Sequence, residues 1–215
     1  AVSGGSDSVA LMHWLAQNHA AHALQVATVD HGLRKESALE AETVKAMATS
    51  LHLPHHTLVW TPPSSPSSAE MRDARYSLLL DHAAQMGAGT IALGHTLDDQ
   101  AETVWMRALR HQPASDTRGL SGMAEWSHCG LVALWRPLLN MHRATLRDQL
   151  LRQNLSWCDD PSNENIGYER VRLRNSLKRG DTVDAEPLAH LATLSMRMRT
   201  WLHDHVADTI DSCVT

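Results

Sequence analysis

Several things are scarce in this 215-residue sequence, and each scarcity excludes something. There are three cysteines, Cys129, Cys158 and Cys213, far apart and without a CxxC pair. That speaks against a disulfide scaffold and a cysteine-rich metal site, and favours a reducing, cytoplasmic setting. No apolar run approaches the roughly 18 residues of a membrane span, and no basic stretch with an apolar core opens the chain, so neither membrane insertion nor secretion is expected. Internal repeats and low-complexity tracts are absent. Positive charge is not in excess either: 19 basic and 24 acidic residues give a net charge of -5, which by itself gives no hint of a nucleic-acid partner. With 43% hydrophobic and 20% charged residues, disordered, collagen-like and coiled-coil classes drop out. A mass of 23.8 kDa suffices for one sizeable core, or one domain with a helical appendage.

Short aliphatic runs alternate with helix-period stretches. The runs are Ala1–Val2, which reads as the stump of a first strand, then 23–29, 57–60 and 90–93. Between them, 9–17 places Val9, Leu11, Met12 and Leu15 on one side of a helix, 37–51 does so with Leu39, Thr43, Met47 and Leu51, and 69–86 repeats the pattern after a Pro- and Ser-rich loop. This alternation is the signature of βαβ units, so an α/β fold with a doubly wound parallel sheet is expected over residues 1–140. One more run, 131–135, precedes helices near 143–153, 168–178 and 186–214. Residues 141–215 therefore read as a helical extension.

The stump leads into Ser3-Gly4-Gly5-Ser6-Asp7-Ser8, and a helix follows at once. Glycines let the backbone approach a ligand closely, and a helix N-terminus offers unpaired N–H groups with a partial positive charge, so this loop suits an anion. A capped tight turn is the plainer reading of a bare Gly-Gly-Ser. The loop lacks the lysine of a Walker A sequence and the spacing of GxGxxG. Two further strand ends carry acids: Asp30 in Val29-Asp30-His31-Gly32, and Asp98, Asp99 and Glu102 after Gly94-His95. Asp99 and Glu102 are three apart and share a helix face. Such carboxylates near a triphosphate point to a metal ion, whereas alone each reads equally as a turn or cap residue. The 15 histidines include no HExxH, and structural or surface roles are expected of them. Trp14, Trp105 and Trp201 read as packing residues, while Trp157 fits either a base pocket or the core.

The Ser-Gly-Gly-x-Asp-Ser string after a first strand resembles the pyrophosphate loop of the N-type ATP pyrophosphatases. Further segments narrow this: Arg72-x-x-Arg75-Tyr76, Arg118-Gly119-Leu120-x-Gly122-Met123, Arg136-Pro137-Leu138-Leu139, and Asp159-Asp160-Pro161-Ser162-Asn163 followed by a basic stretch. In order and spacing they resemble the tRNA(Ile)-lysidine synthetase family over nearly the whole chain. A tRNA thiolase is the alternative within the superfamily, and the branch with an iron-sulfur cluster would show CxxC pairs. A universal-stress-type nucleotide module would carry its glycine loop late in the chain. His111, where the family tends to have Gly, and Arg170-Val171-Arg172-Leu173-Arg174, which lacks a typical Asn, depart from the pattern.

The resemblance implies that ATP and Mg²⁺ serve a two-step ligation. Cytidine O2 in the CAU anticodon of an isoleucine tRNA attacks the α-phosphorus, and the amine of free L-lysine then displaces AMP from C2. It implies that Ser3, Gly4, Gly5, Ser6, Asp7, Ser8 and His95 hold the nucleotide, and that Asp30 and Asp99 hold Mg²⁺ or the lysine amine. Arg72, Arg75 and Arg118 then stabilise phosphate, and Glu102, Asp160, Asn163, Arg170, Arg172 and Arg174 contact substrates. His95 reads equally as a packed histidine. A homodimer is compatible with the resemblance.

Charge is distributed to match. Residues 1–100 carry 5 basic and 10 acidic groups, 101–180 carry 12 and 8, and 181–215 carry 2 and 6. The basic middle, with Arg107, Arg110, Arg136, Arg143, Arg147, Lys178 and Arg179 among its groups, reads as a phosphate-backbone surface.

Overall fold

The computed structural model describes residues 1–32, 35–62, 66–110, 121–158, 172 and 185–213. The expected helix at 168–178 lies outside them except for Arg172, which is helical and exposed. The elements, in chain order, are helix α1 (Ser6–Asn18), a 3-10 turn (Ala21–Ala23), strand β1 (Val26–Asp30), helix α2 (Lys35–Ser50), strand β2 (His55–Val59), helix α3 (Ser68–Gln85) and strand β3 (Thr90–Ala92). They continue with helix α4 (Leu97–Arg110), strands β4 (Trp126–Cys129) and β5 (Val132–Trp135), helix α5 (Arg143–Arg152) and helix α6 (Ala185–Cys213). Among the described residues no helix is long and apolar enough to cross a membrane.

Residues 1–96 and 125–160 form one compact unit, and 97–124 with 161–215 form another. Each unit is built from separated stretches of the chain. In the first unit β1 pairs with β2 in parallel, β3 pairs with β5 in parallel, and β4 pairs with β5 in antiparallel register. Ala1 and Val2 link the two groups: Val2 N–H donates to Ala27 O at 2.9 Å, and the Ala1 backbone nitrogen donates to Ala92 O at 2.8 Å. The strand order is therefore β2, β1, Ala1–Val2, β3, β5, β4, and it reverses direction between Ala1–Val2 and β3. This is the doubly wound arrangement that the strand alternation predicts.

Side-chain alternation distributes the core over both faces. Val2 and Val26 join Met12, Val44, Ala48 and Leu53 on one face. Ala1, Ala27 and Val29 pack with Leu79, Ala83, Ile91, Leu93 and Leu134 on the other. A further cluster locks α1 to α5 through Val9, Leu11, Leu146 and Leu150. A cavity of about 340 Å³, lined by Ala1, Val26, Leu11, Leu79 and Ala92 among others, lies at the beginning of these central strands.

Several expectations are corrected. The buried stripe of α2 is Ala41, Val44 and Ala48, and Leu39 is 69% exposed. Small residues win this face because it must approach the backbone closely: Val44 Cγ2 lies 3.4 Å from where a Cβ on Gly4 would stand. Strand β4 has no strong apolar run and escapes the sequence pattern. It forms as half of a hairpin, with Trp126 opposite Trp135 and the two rings stacked 5.2 Å apart. Trp201 is 55% exposed, whereas Trp14, 39% exposed, packs its ring against Trp135 at 5.9 Å at the surface and not in the core. Trp105 does pack, against the Ala101, Val104, Leu188 and Ala192 core of the second unit.

Candidate functional site

At the switch point of the sheet, Val2 passes into the glycine loop and the loop into α1. Gly5 occupies the N-cap position with no side chain to cap the helix, so the first-turn N–H groups are not covered by a hydroxyl or carboxylate from that position. Gly4 has φ +90, a conformation that L side chains rarely adopt. The serines organise the loop internally. Ser3 N–H donates to Ser8 Oγ at 3.2 Å, Ser8 Oγ–H donates to Gly5 O at 2.9 Å, and Ser6 Oγ–H donates to Asp7 Oδ1 at 3.1 Å. Gly94, just past β3, seats the strand end against this loop: a Cβ there would lie 3.1 Å from the Asp7 carbonyl group and Ser8 Cα. A positive helix end, a left-handed glycine and a close strand approach make a concave cradle for an anion.

Asp30 closes β1, the strand next to Ala1–Val2. Its Oδ1 accepts from Gly32 N–H at 2.9 Å and from the Ser37 hydroxyl at 2.6 Å, so the side chain shapes the turn into α2. The turn reading and the ligand reading of Asp30 are thus compatible, one oxygen serving the turn. Beside it His31 meets Trp60 edge-on at 5.8 Å. Burial holds the His31 imidazole below its usual pKa range, Arg75 pushes in the same direction, and Asp30 opposes both. Arg75 is half-buried and its charge is felt at His31, whereas Arg72 is exposed and lies over the Tyr76 ring at 5.2 Å. The two arginines that the sequence pairs therefore have different surroundings. His95 is half-buried, three residues after β3, with its N–H on Leu93 O.

Asp99 and Glu102 stand on α4 in the second unit, and both are buried. Gln100 on the same helix brackets Met123, accepting from its N–H at 2.7 Å and donating to its carbonyl at 2.8 Å. Gly122 has φ +59, and Arg107 donates to its carbonyl at 3.0 Å. These contacts account for the Gly-Met pair of the sequence motif. Arg118, Asp160, Asn163, Arg170 and Arg174 lie outside the described residues.

Among the described residues no three His, Cys, Asp or Glu side chains cluster as a metal cage. Mg²⁺ in nucleotide sites is commonly held by one or two carboxylates together with phosphate oxygens and water. Sequence reasoning did not place Gly94, His31, Trp60, Ser37 or Cys158 at the site. Gly94 directly after a strand, and Ser37 seven residues after Asp30, were the available local signals, whereas the His31–Trp60 contact and Cys158 depend on neighbours far along the chain.

Comparison with known proteins agrees with this geometry. A family model described as a PP-loop domain matches residues 1–180. The chain is 46% identical to a tRNA(Ile)-lysidine synthase of Ruegeria pomeroyi, with 93% of this chain and 48% of that protein covered. It is 45% identical to one of Bradyrhizobium diazoefficiens (89% and 55% covered) and 44% identical to one of Rhodopseudomonas palustris (92% and 58%). The chain thus spans about half the length of these relatives. A U34-tRNA thiolase, NcsA of Methanococcus maripaludis, solved with its [4Fe-4S] cluster, shares the fold at TM-score 0.73 and 14% identity, with 92% of this chain and 69% of that one covered.

Proposed function

Because the chain belongs to the PP-loop family, we propose that it carries the ATP-dependent chemistry of a tRNA(Ile)-lysidine synthetase. In this reading ATP seats its pyrophosphate on Ser3–Ser8, cytidine O2 of a CAU anticodon in tRNA(Ile) attacks the α-phosphorus, and pyrophosphate leaves. The ε-amine of free L-lysine then attacks C2 and AMP departs. The observation that carries the reading is the uncapped, glycine-lined start of α1 at the switch point of the sheet, in a sequence 44–46% identical to those synthases.

Each residue has a physical task. Negative charge grows on the phosphates during adenylation, and preorganised N–H groups and cations lower that cost. Arg75, half-buried with its charge felt at His31, is proposed from the α3 pair for this, and Arg118 joins it from the family pattern. Mg²⁺, when bound, supplies charge neutralisation on the phosphates, with Asp30 and Asp99 as its candidate carboxylates. The same two acids are the candidates for holding the lysine amine, which must lose a proton to attack. His95 is proposed at the nucleotide, and Glu102, Arg72, Asp160, Asn163, Arg170, Arg172 and Arg174 at the tRNA and lysine. A reducing cytoplasm suits a chain with three cysteines and no CxxC pair.

The test is incubation with ATP, Mg²⁺, radiolabelled lysine and a tRNA(Ile) transcript bearing CAU. Label should enter the tRNA with release of AMP. ATP cleavage without label in the tRNA would remove the ligase reading, and Asp30→Ala should abolish AMP release while the melting transition stays cooperative.

A further inference from the structure

The glycine loop is gripped by a segment more than 130 residues away. On α5, Arg143 Nε donates to Asp7 Oδ2 at 2.7 Å, and each of the two side chains is only 16% exposed. One turn later, Arg147 Nε donates to Ser6 Oγ at 3.2 Å, and its guanidinium lies over the Trp157 ring at 5.6 Å. The adjoining Cys158 N–H donates to Gly4 O at 2.9 Å. The i, i+4 spacing puts both arginines on one face of α5, while Leu146 and Leu150 anchor the helix in the core shared with Val9 and Leu11.

Asp7 raises an electrostatic problem. A carboxylate in the first turn suits the positive end of α1, but that same end is where a polyphosphate must arrive. Unneutralised, Asp7 would repel the ligand that the loop is shaped to hold. We propose that Arg143 and Arg147 are positioning residues of the phosphate loop: Arg143 cancels the charge of Asp7, and Arg147 fixes the Ser6 hydroxyl, so that a polyphosphate meets a net positive helix end. This takes both residues out of the phosphate-backbone surface suggested by the sequence, because Arg143 is already committed to a mostly buried ion pair. The proposal rests on the reading of Ser3–Ser8 as the ATP phosphate site.

ATP titrations by calorimetry, below the melting temperature of every variant, test it. Arg143→Ala should weaken ATP binding about tenfold or more, because Asp7 loses its Arg143 ion pair beside the phosphates, with Arg143→Lys falling in between. Adding Asp7→Asn to Arg143→Ala should bring the affinity back to within about threefold of wild type, since the offending charge is gone. A purely structural tether would not give that rescue, because the double variant lacks the ion pair as well. Arg147→Ala should weaken binding a few-fold. Failure of the rescue, or wild-type affinity in Arg143→Ala, would each overturn the proposal. If wild type itself binds no ATP, the reading of the loop fails, and that outcome is distinct from both.

Discussion

Two glycines in the first unit are required for opposite reasons. Gly4 must adopt φ +90, whereas Gly94 must lack a side chain, because its would-be Cβ is met at 3.1 Å by backbone atoms of Asp7 and Ser8. A backbone neighbour cannot step aside as a flexible side chain can. Gly94→Ala should therefore displace the loop at a cost of about 1–3 kcal/mol, divided between stability and ligand affinity. ATP titration together with thermal melting would reveal it. Gly89→Ala, where a Cβ meets nothing within 4 Å, is the control and should change neither. The loop itself was legible because its chemistry is local: glycine, serine and a helix start adjoin in sequence. His31 against Trp60, and Arg143 on Asp7, were not, because each pairing joins residues from different elements.

Among the elements, α3 shows how a boundary is written into a sequence. Ser67 accepts from Glu70 N–H at 3.2 Å, and the Glu70 carboxylate accepts from Ser67 N–H at 2.8 Å, a reciprocal capping box directly after the Pro-rich loop. These bonds hold the Glu70 carboxyl below its usual pKa range. Ser67→Ala should cost about 1 kcal/mol of stability, read as a lower urea midpoint with unchanged slope. A change of ATP affinity in that variant would mean that α3 moves with the site. Helix α2 and strand β4 mark the limit of such reading. Of the stripe Leu39, Thr43, Met47 and Leu51, only Leu39 is exposed while Met47 and Leu51 pack at the edge of the core, and the sheet selects Ala41, Val44 and Ala48 for closeness; β4 forms as the hairpin partner of β5.

At the scale of the molecule, pH acts on the first unit through histidines that fold as neutral groups. Burial lowers the pKa of His13, His31, His55 and His82, in each case as the largest cause. Each is thus harder to protonate when folded than when unfolded, and below about pH 6.5 the unfolded chain binds more protons. Their contribution to stability is whole above that value and is lost as pH falls through the lowered folded values. Urea midpoints should be flat between about pH 7 and 8 and decline from about 6.5 downward; stability rising on acidification would mean that these imidazoles gain partners instead. The sequence alone determined the α/β class, the glycine loop, the acids at strand ends and the basic middle, because period, turn chemistry and charge are local properties. Only the tertiary structure decided that Ala1–Val2 joins the two strand groups, that Asp30 spends one oxygen on its own turn, and that α5 brings Arg143 and Arg147 to the loop. Those facts depend on packing between distant segments, where shape and charge compensation choose the partners and no short-range pattern records the choice.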